Sequence, residues 1–228
     1  MRRTVRAAAG AALTVALTRA FAARPPGGSQ RWERVNHRGG PVTLLAGPVA
    51  ATAAGLTAST GAAGAVAALG AGAVGVYDDL VGGRPDQRAS KGLRGHAQAA
   101  ARGQLTTGAV KVAGIGVTGL LAARLAGRAL KVALASSLVV DEPGTAAVAA
   151  ALLPADLAER AMLGDGGANA LGAVLGLAAA RRLGSRRRRG GALAVLVGLT
   201  AASEVVSFTR VIDAVPPLRA VDRLGRLP

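Results

Sequence analysis

Residues 61–79 read GAAGAVAALGAGAVGVYDD, seventeen uncharged residues of which Ala, Gly and Val make up all but Leu69 and Tyr77, followed by Asp78 and Asp79. The length and lack of charge predict a helix that crosses a bilayer, whose hydrocarbon core takes about 20 mostly apolar residues. Two carboxylates at the mouth of such a segment are costly in lipid and mark a candidate site. Ser59, Thr60 and Gly61 are expected to form a tight turn before it, so the apolar residues 42–57 and this stretch make a membrane hairpin.

The same composition runs through the chain. Of 228 residues 51% are hydrophobic, yet only 2% are aromatic and 33 are glycine. A soluble core normally draws its burial from large side chains. Small residues instead let helix backbones approach closely in a bilayer. The net charge of +16 suits nucleic acid or an anionic membrane surface. With almost no aromatic residues to stack on bases, and with the basic residues lying between apolar segments, the membrane is the expected partner and nucleic acid is not. There is no cysteine, which excludes disulfides and thiolate chemistry.

Apolar segments are expected at 5–23, 42–57, 61–77, 109–127, 130–140, 167–180 and 192–203. The expected fold is all-α, a single membrane bundle over 1–228 of six to seven helices, some short or re-entrant. Residues 2–23 imitate a cleavable signal peptide, with Arg2, Arg3 and Arg6 before an apolar run. Arg19 interrupts the approach to a cleavage site, so a retained first helix is expected. Pro and Gly predict irregular loop backbone over 24–41. Residues 145–153 are too short to span, and 204–228 read as an amphipathic tail lying on the membrane surface. The arginines at 181, 182 and 186–189 conflict with placing Asp165 on the cytoplasmic side, because basic loops favour that side.

A third acid, Asp165, sits in the stretch MLGDGGAN at 162–169 and opens another apolar segment. Magnesium takes oxygen ligands and usually rests on one or two carboxylates plus substrate phosphates. Asp78, Asp79 and Asp165 on one side of a bilayer can supply those ligands and leave one carboxylate as a general base. Lys91, Arg94 and His96 in the following basic loop can meet the remaining phosphate charge. Each feature also has a plainer reading. The acid pair can be solvated acids opening a loop, Asp165 can be a helix cap, Asn169 can be a helix-packing polar residue, and the arginine run can face solvent or lipid headgroups.

Several fragments in order narrow these readings: Asn36, His37, Arg38 and Gly39 before the hairpin, GVYDDL at 75–80, KGLRGH at 91–96, GQLTTGAVK at 103–111, and MLGDGGAN at 162–169. This pattern resembles the polyprenyl-phosphate N-acetylhexosamine-1-phosphate transferases, relatives of the translocase that makes the first lipid-linked peptidoglycan precursor. The resemblance runs from about Arg34 to the C-terminus. It implies a multi-pass enzyme of the bacterial cell membrane with a cytoplasmic site, moving a sugar 1-phosphate from a UDP-N-acetylhexosamine to polyprenyl phosphate with Mg²⁺ in cell-envelope glycan synthesis. By motif it assigns Asp78 and Asp79 to the catalytic acid pair, one a base and Asp79 near the metal, and Asp165 to the magnesium. Lys91, Arg94, His96, Asn36, Arg38 and Asn169 become substrate-binding candidates.

The family's middle motif, Asn-Leu-x-Asp, has Ser137 and Val140 at its polar positions, with Asp141 displaced by one. The histidine-rich loop of the peptidoglycan translocase is missing, and the chain is short around 145–154. A catalytically inactive descendant, serving as a membrane scaffold or lipid-binding partner, is therefore the alternative. Self-association is left open.

Overall fold

The computed structural model describes residues 3–36, 38–81 and 142–203, together with 206, 210, 213–217 and 219. Six α-helices lie in this part of the chain, and the fold is all-α apart from one small hairpin. They are α1 (Arg3–Ala23), α2 (Ala46–Thr57), α3 (Ala62–Val81), α4 (Pro143–Leu157), α5 (Gly164–Arg182) and α6 (Arg186–Ser203). A 3-10 turn (Ser29–Arg31) and strands β1 (Glu33–Val35) and β2 (Pro41–Thr43) separate α1 from α2.

Two of the helices, α1 and α3, are long and apolar enough to cross a membrane. At 1.5 Å per residue, their 21 and 20 residues reach about 30 Å. α2, with 12 residues, and α4, with 15, fall short of that thickness. The expected segment at 42–57 therefore divides, its first part forming β2 and only its second part a helix. The apolar piece expected at 145–153 extends to Leu157 and stays too short to span. The segments expected at 109–127 and 130–140 lie outside the described residues, as does most of the tail expected at 204–228.

α2 is the central helix, with nine of its 12 residues buried. Ala51, Ala54 and Ala58 pack on Ala68 of α3 and on Ala170 and Val174 of α5. On its other side Ala50 and Ala53 meet Val148 of α4, with Leu13 and Leu17 of α1 against the same cluster. Alanine and glycine form this core because the backbones lie too close for larger side chains. A Cβ on Gly75 would stand 2.6 Å from the Gly166 nitrogen, and one on Gly144 of α4 would stand 2.7 Å from Thr57 Oγ1. Small-residue contacts of this kind let helices associate by close backbone packing.

The stretch expected as irregular loop at 24–41 carries ordered structure. β1 and β2 pair antiparallel in the register Glu33 with Thr43, Arg34 with Val42 and Val35 with Pro41. The turn is closed by Asn36, whose Oδ1 accepts the N–H groups of Arg38 at 2.9 Å and Gly40 at 2.8 Å. Such side-chain acceptors stabilise turns by mimicking a backbone carbonyl. Trp32 is buried and its Nε1 donates to the Pro26 carbonyl at 2.8 Å. The hairpin is tied to the α4–α5 connection because the Met162 N–H donates to the Thr43 carbonyl at 2.8 Å and the Thr43 N–H to the Arg160 carbonyl at 3.2 Å.

Candidate functional site

The acid pair lies inside the last turn of α3 and not in the loop beyond it. Asp165 likewise falls in the first turn of α5, which begins at Gly164 and not at Gly167. These two helix ends meet through one side chain. Asp79 Oδ1 accepts the Asp165 N–H at 2.9 Å and Oδ2 accepts the Gly166 N–H at 2.8 Å. The first amides of a helix have no partner within it, so a carboxylate there satisfies them and favours the positive end of the helix dipole. The cap of α5 thus comes from Asp79, 86 residues away from Asp165.

Glycine makes this approach feasible. Gly164 has φ of 58°, in the left-handed region that a side chain disfavours. A Cβ there would also stand 2.5 Å from Asp79 Oδ2.

The hairpin completes the corner. Arg34 Nη2 donates to the backbone carbonyl of Asp79 at 2.6 Å. Asn36 Nδ2 donates to Glu159 Oε2 at 2.9 Å, and Arg38 Nε stands 3.6 Å from Glu159 Oε1. Glu159 is held beside the hairpin by the connection between α4 and α5, in a positive-φ conformation (52°). Asn169 shares a face of α5 with Asp165 four residues on, and its buried Nδ2 has no hydrogen-bond partner among the described residues. Beside the corner, an apolar cavity of about 170 Å³ is lined by Ala46, Leu152, Leu153, Leu163 and Leu171, with Asp156 its one acid.

The structure brings Asp79 to the Asp165 amide, and Asn36 and Arg38 to Glu159, with Arg34 linking the hairpin to Asp79. Asp78 and Asp165 each take part in further polar contacts. Lys91, Arg94 and His96, with His37 and the middle motif around Ser137, Val140 and Asp141, lie outside the described residues. Among the described residues no group of three or more His, Asp or Glu side chains is placed to hold a metal ion. Both oxygens of Asp79 accept α5 amides.

Arg34 and Glu159 were not singled out in the sequence as site residues. Arg34 stands next to quoted motif residues, but nothing in the pattern around Glu159 marks it. Glu142, next to the displaced Asp141, was not singled out either. It is 2% exposed at the far end of the bundle, its Oε2 accepting the Ser59 N–H at 2.9 Å and its Oε1 accepting from the Ser59 hydroxyl.

Compared with known proteins, the chain matches no family model, no curated protein and no solved structure.

Proposed function

We propose that the chain is a multi-pass bacterial membrane protein of the sugar-phosphate transferase type, acting on a UDP-N-acetylhexosamine and polyprenyl phosphate at the corner built around Asp79. One observation supports this reading: Asp79 of the acid pair ending α3 bonds the Asp165 amide opening α5, and the hairpin that carries Asn36 and Arg38 reaches the same helix end through Arg34. The resemblance assigns Asp79, Asp165, Asn36 and Arg38 to one site. The two membrane-length helices and the apolar cavity beside Leu163 support a lipid acceptor.

In the proposed reaction an oxygen of polyprenyl phosphate attacks the sugar-bearing phosphorus of the donor. The bond from that phosphorus to the bridging oxygen breaks, and UMP leaves with its electron pair. Asp78 is the group assigned to take or orient the acceptor proton, since the Asp79 carboxylate is engaged as a cap. Asn169 Nδ2, buried and without a partner among the described residues, is a donor for a phosphate or sugar oxygen. The resemblance implies Mg²⁺, but the described acids do not form its site, so no step is routed through the ion and it enters the test as a variable.

The engagement of Asp79 favours a second reading, in which the fold is kept and turnover is lost. UMP release by the detergent-purified full chain separates the two. The assay supplies polyprenyl phosphate and a panel of UDP-N-acetylhexosamines, with and without Mg²⁺. Release that disappears in Asp78→Asn and Asp165→Asn supports the transferase. No release from folded protein across the panel supports the inactive membrane partner.

A further inference from the structure

The bundle has two chemically different ends. At the end opposite Asp79, a Cβ on Gly10 of α1 would stand 3.3 Å from Gly144 Cα of α4, Ser59 bonds Glu142, and Arg181 Nη2 donates to the Thr60 carbonyl at 3.4 Å. This places the N-terminal half of α1, the α2–α3 turn, the start of α4 and the end of α5 together. Arg6, Arg181 and Arg182 lie here, and α6 adds Arg186, Arg187, Arg188 and Arg189 in its first turn. Glu142, an acid at this end, is buried against Ser59 and adds nothing to the outer surface. The Asp79 end, by contrast, mixes Arg34, Arg38 and Arg160 with Asp78, Glu159 and Asp165.

The arginines of α6 stand where a helix least favours them. Its first turn carries no acid, and the helix dipole is positive at that end. Four guanidinium groups within one turn also repel one another. Arg186, Arg187 and Arg188 are exposed, and Arg189 Nη1 reaches back to the Gly184 carbonyl at 2.9 Å. An external layer of anions relieves this repulsion.

Residues 192–203, which follow, are uncharged and mostly apolar, and Val195 is 62% exposed. A Cβ added at Gly190, Gly191 or Gly198 would meet nothing within 4 Å. Twelve residues extend about 18 Å, enough to enter one leaflet and too short to cross both. A cationic turn leading into an apolar helix that is exposed at Ala194, Val195 and Gly198 matches anionic headgroups lying over acyl chains. Guanidinium groups also fit phosphate oxygens in pairs.

We infer that this arginine end is a docking surface for anionic phospholipid, with α6 seated in the same leaflet. The inference does not depend on the transferase reading, because it concerns the opposite end of the bundle.

The test uses the full chain in zwitterionic detergent, with phosphatidylglycerol and phosphatidylcholine as probes and bound lipid counted by native mass spectrometry. Wild type is expected to retain phosphatidylglycerol at least about tenfold better, with the preference falling as salt is raised. Replacing residues 186–189 together by Gln should abolish the preference, and replacing them by Lys should keep most of it while showing that the chain still folds. Equal retention of the two lipids would overturn the inference. So would a preference that survives the Gln variant, or displacement of phosphatidylglycerol by a DNA duplex, which would make nucleic acid the partner.

Discussion

The carboxylate of Asp79 bonds the backbone N–H of Asp165 at 2.9 Å and so ties the end of the membrane-length helix α3 to the start of α5. The contact with Gly166 is its second arm. An acid that the sequence marks for chemistry therefore has a structural task that can be measured separately.

Removing that cap should cost stability. Asp79→Ala is expected to lower unfolding free energy by about 1–2 kcal/mol, with Asp79→Asn losing less because its amide oxygen still accepts one bond. Unfolding followed by circular dichroism in detergent reads the difference. Equal stability of all three proteins would remove Asp79 from the cap role.

Gly164 and Gly61 make a matched pair. Both have positive φ, 58° and 63°, but only at Gly164 would a Cβ strike the Asp79 carboxylate. Gly61→Ala should carry only the backbone penalty, on the order of 1–2 kcal/mol. Gly164→Ala should lose more, because it also pushes the cap away. Comparable losses in thermal unfolding would mean that the cap tolerates displacement.

At the far end, Ser59 supplies both hydrogen bonds that the Glu142 carboxylate receives among the described residues. Ser59→Ala removes the hydroxyl from a buried carboxylate and should cost roughly 1.5–3 kcal/mol. In a double-mutant cycle with Glu142→Gln, the two changes should couple by about 1 kcal/mol, since they share one interaction. Additive effects would show that Ser59 does not answer the charge of Glu142.

Asn36 serves the hairpin and the neighbouring connection at once. Asn36→Asp keeps the acceptor for the Arg38 and Gly40 amides but sets a second carboxylate against Glu159. It should destabilise the fold, and Glu159→Gln in the same chain should recover part of the loss. A substitution without effect on unfolding would separate the hairpin from the α4–α5 connection.

Much of this corner could be read in the sequence because charge inside apolar runs is expensive. Asp78, Asp79 and Asp165 stood out for that reason, and the structure brings their helix ends together. What the apolar pattern could not show was the direction of a carboxylate. Whether Asp79 faces solvent, a metal or a backbone amide depends on Gly164 and Gly75, which allow α5 to approach α3. The segment at 42–57 was read as one helix because β2 and α2 share its hydropathy, and only the pairing with β1 divides them. Glu142 was hidden for the opposite reason. It stands between Asp141 and Pro143, where nothing in the pattern marks burial, and its carboxylate is bonded by Ser59, 83 residues away.

The most direct test of the Asp79 tie is amide hydrogen exchange over residues 163–170, comparing wild type with Asp79→Ala in the same detergent. The Asp165 and Gly166 amides should exchange slowly in wild type and at least about tenfold faster in the variant, while the interior of α3 keeps its protection. Unchanged exchange at those two amides would contradict the account, because Asp79 would then not hold the two helix ends together.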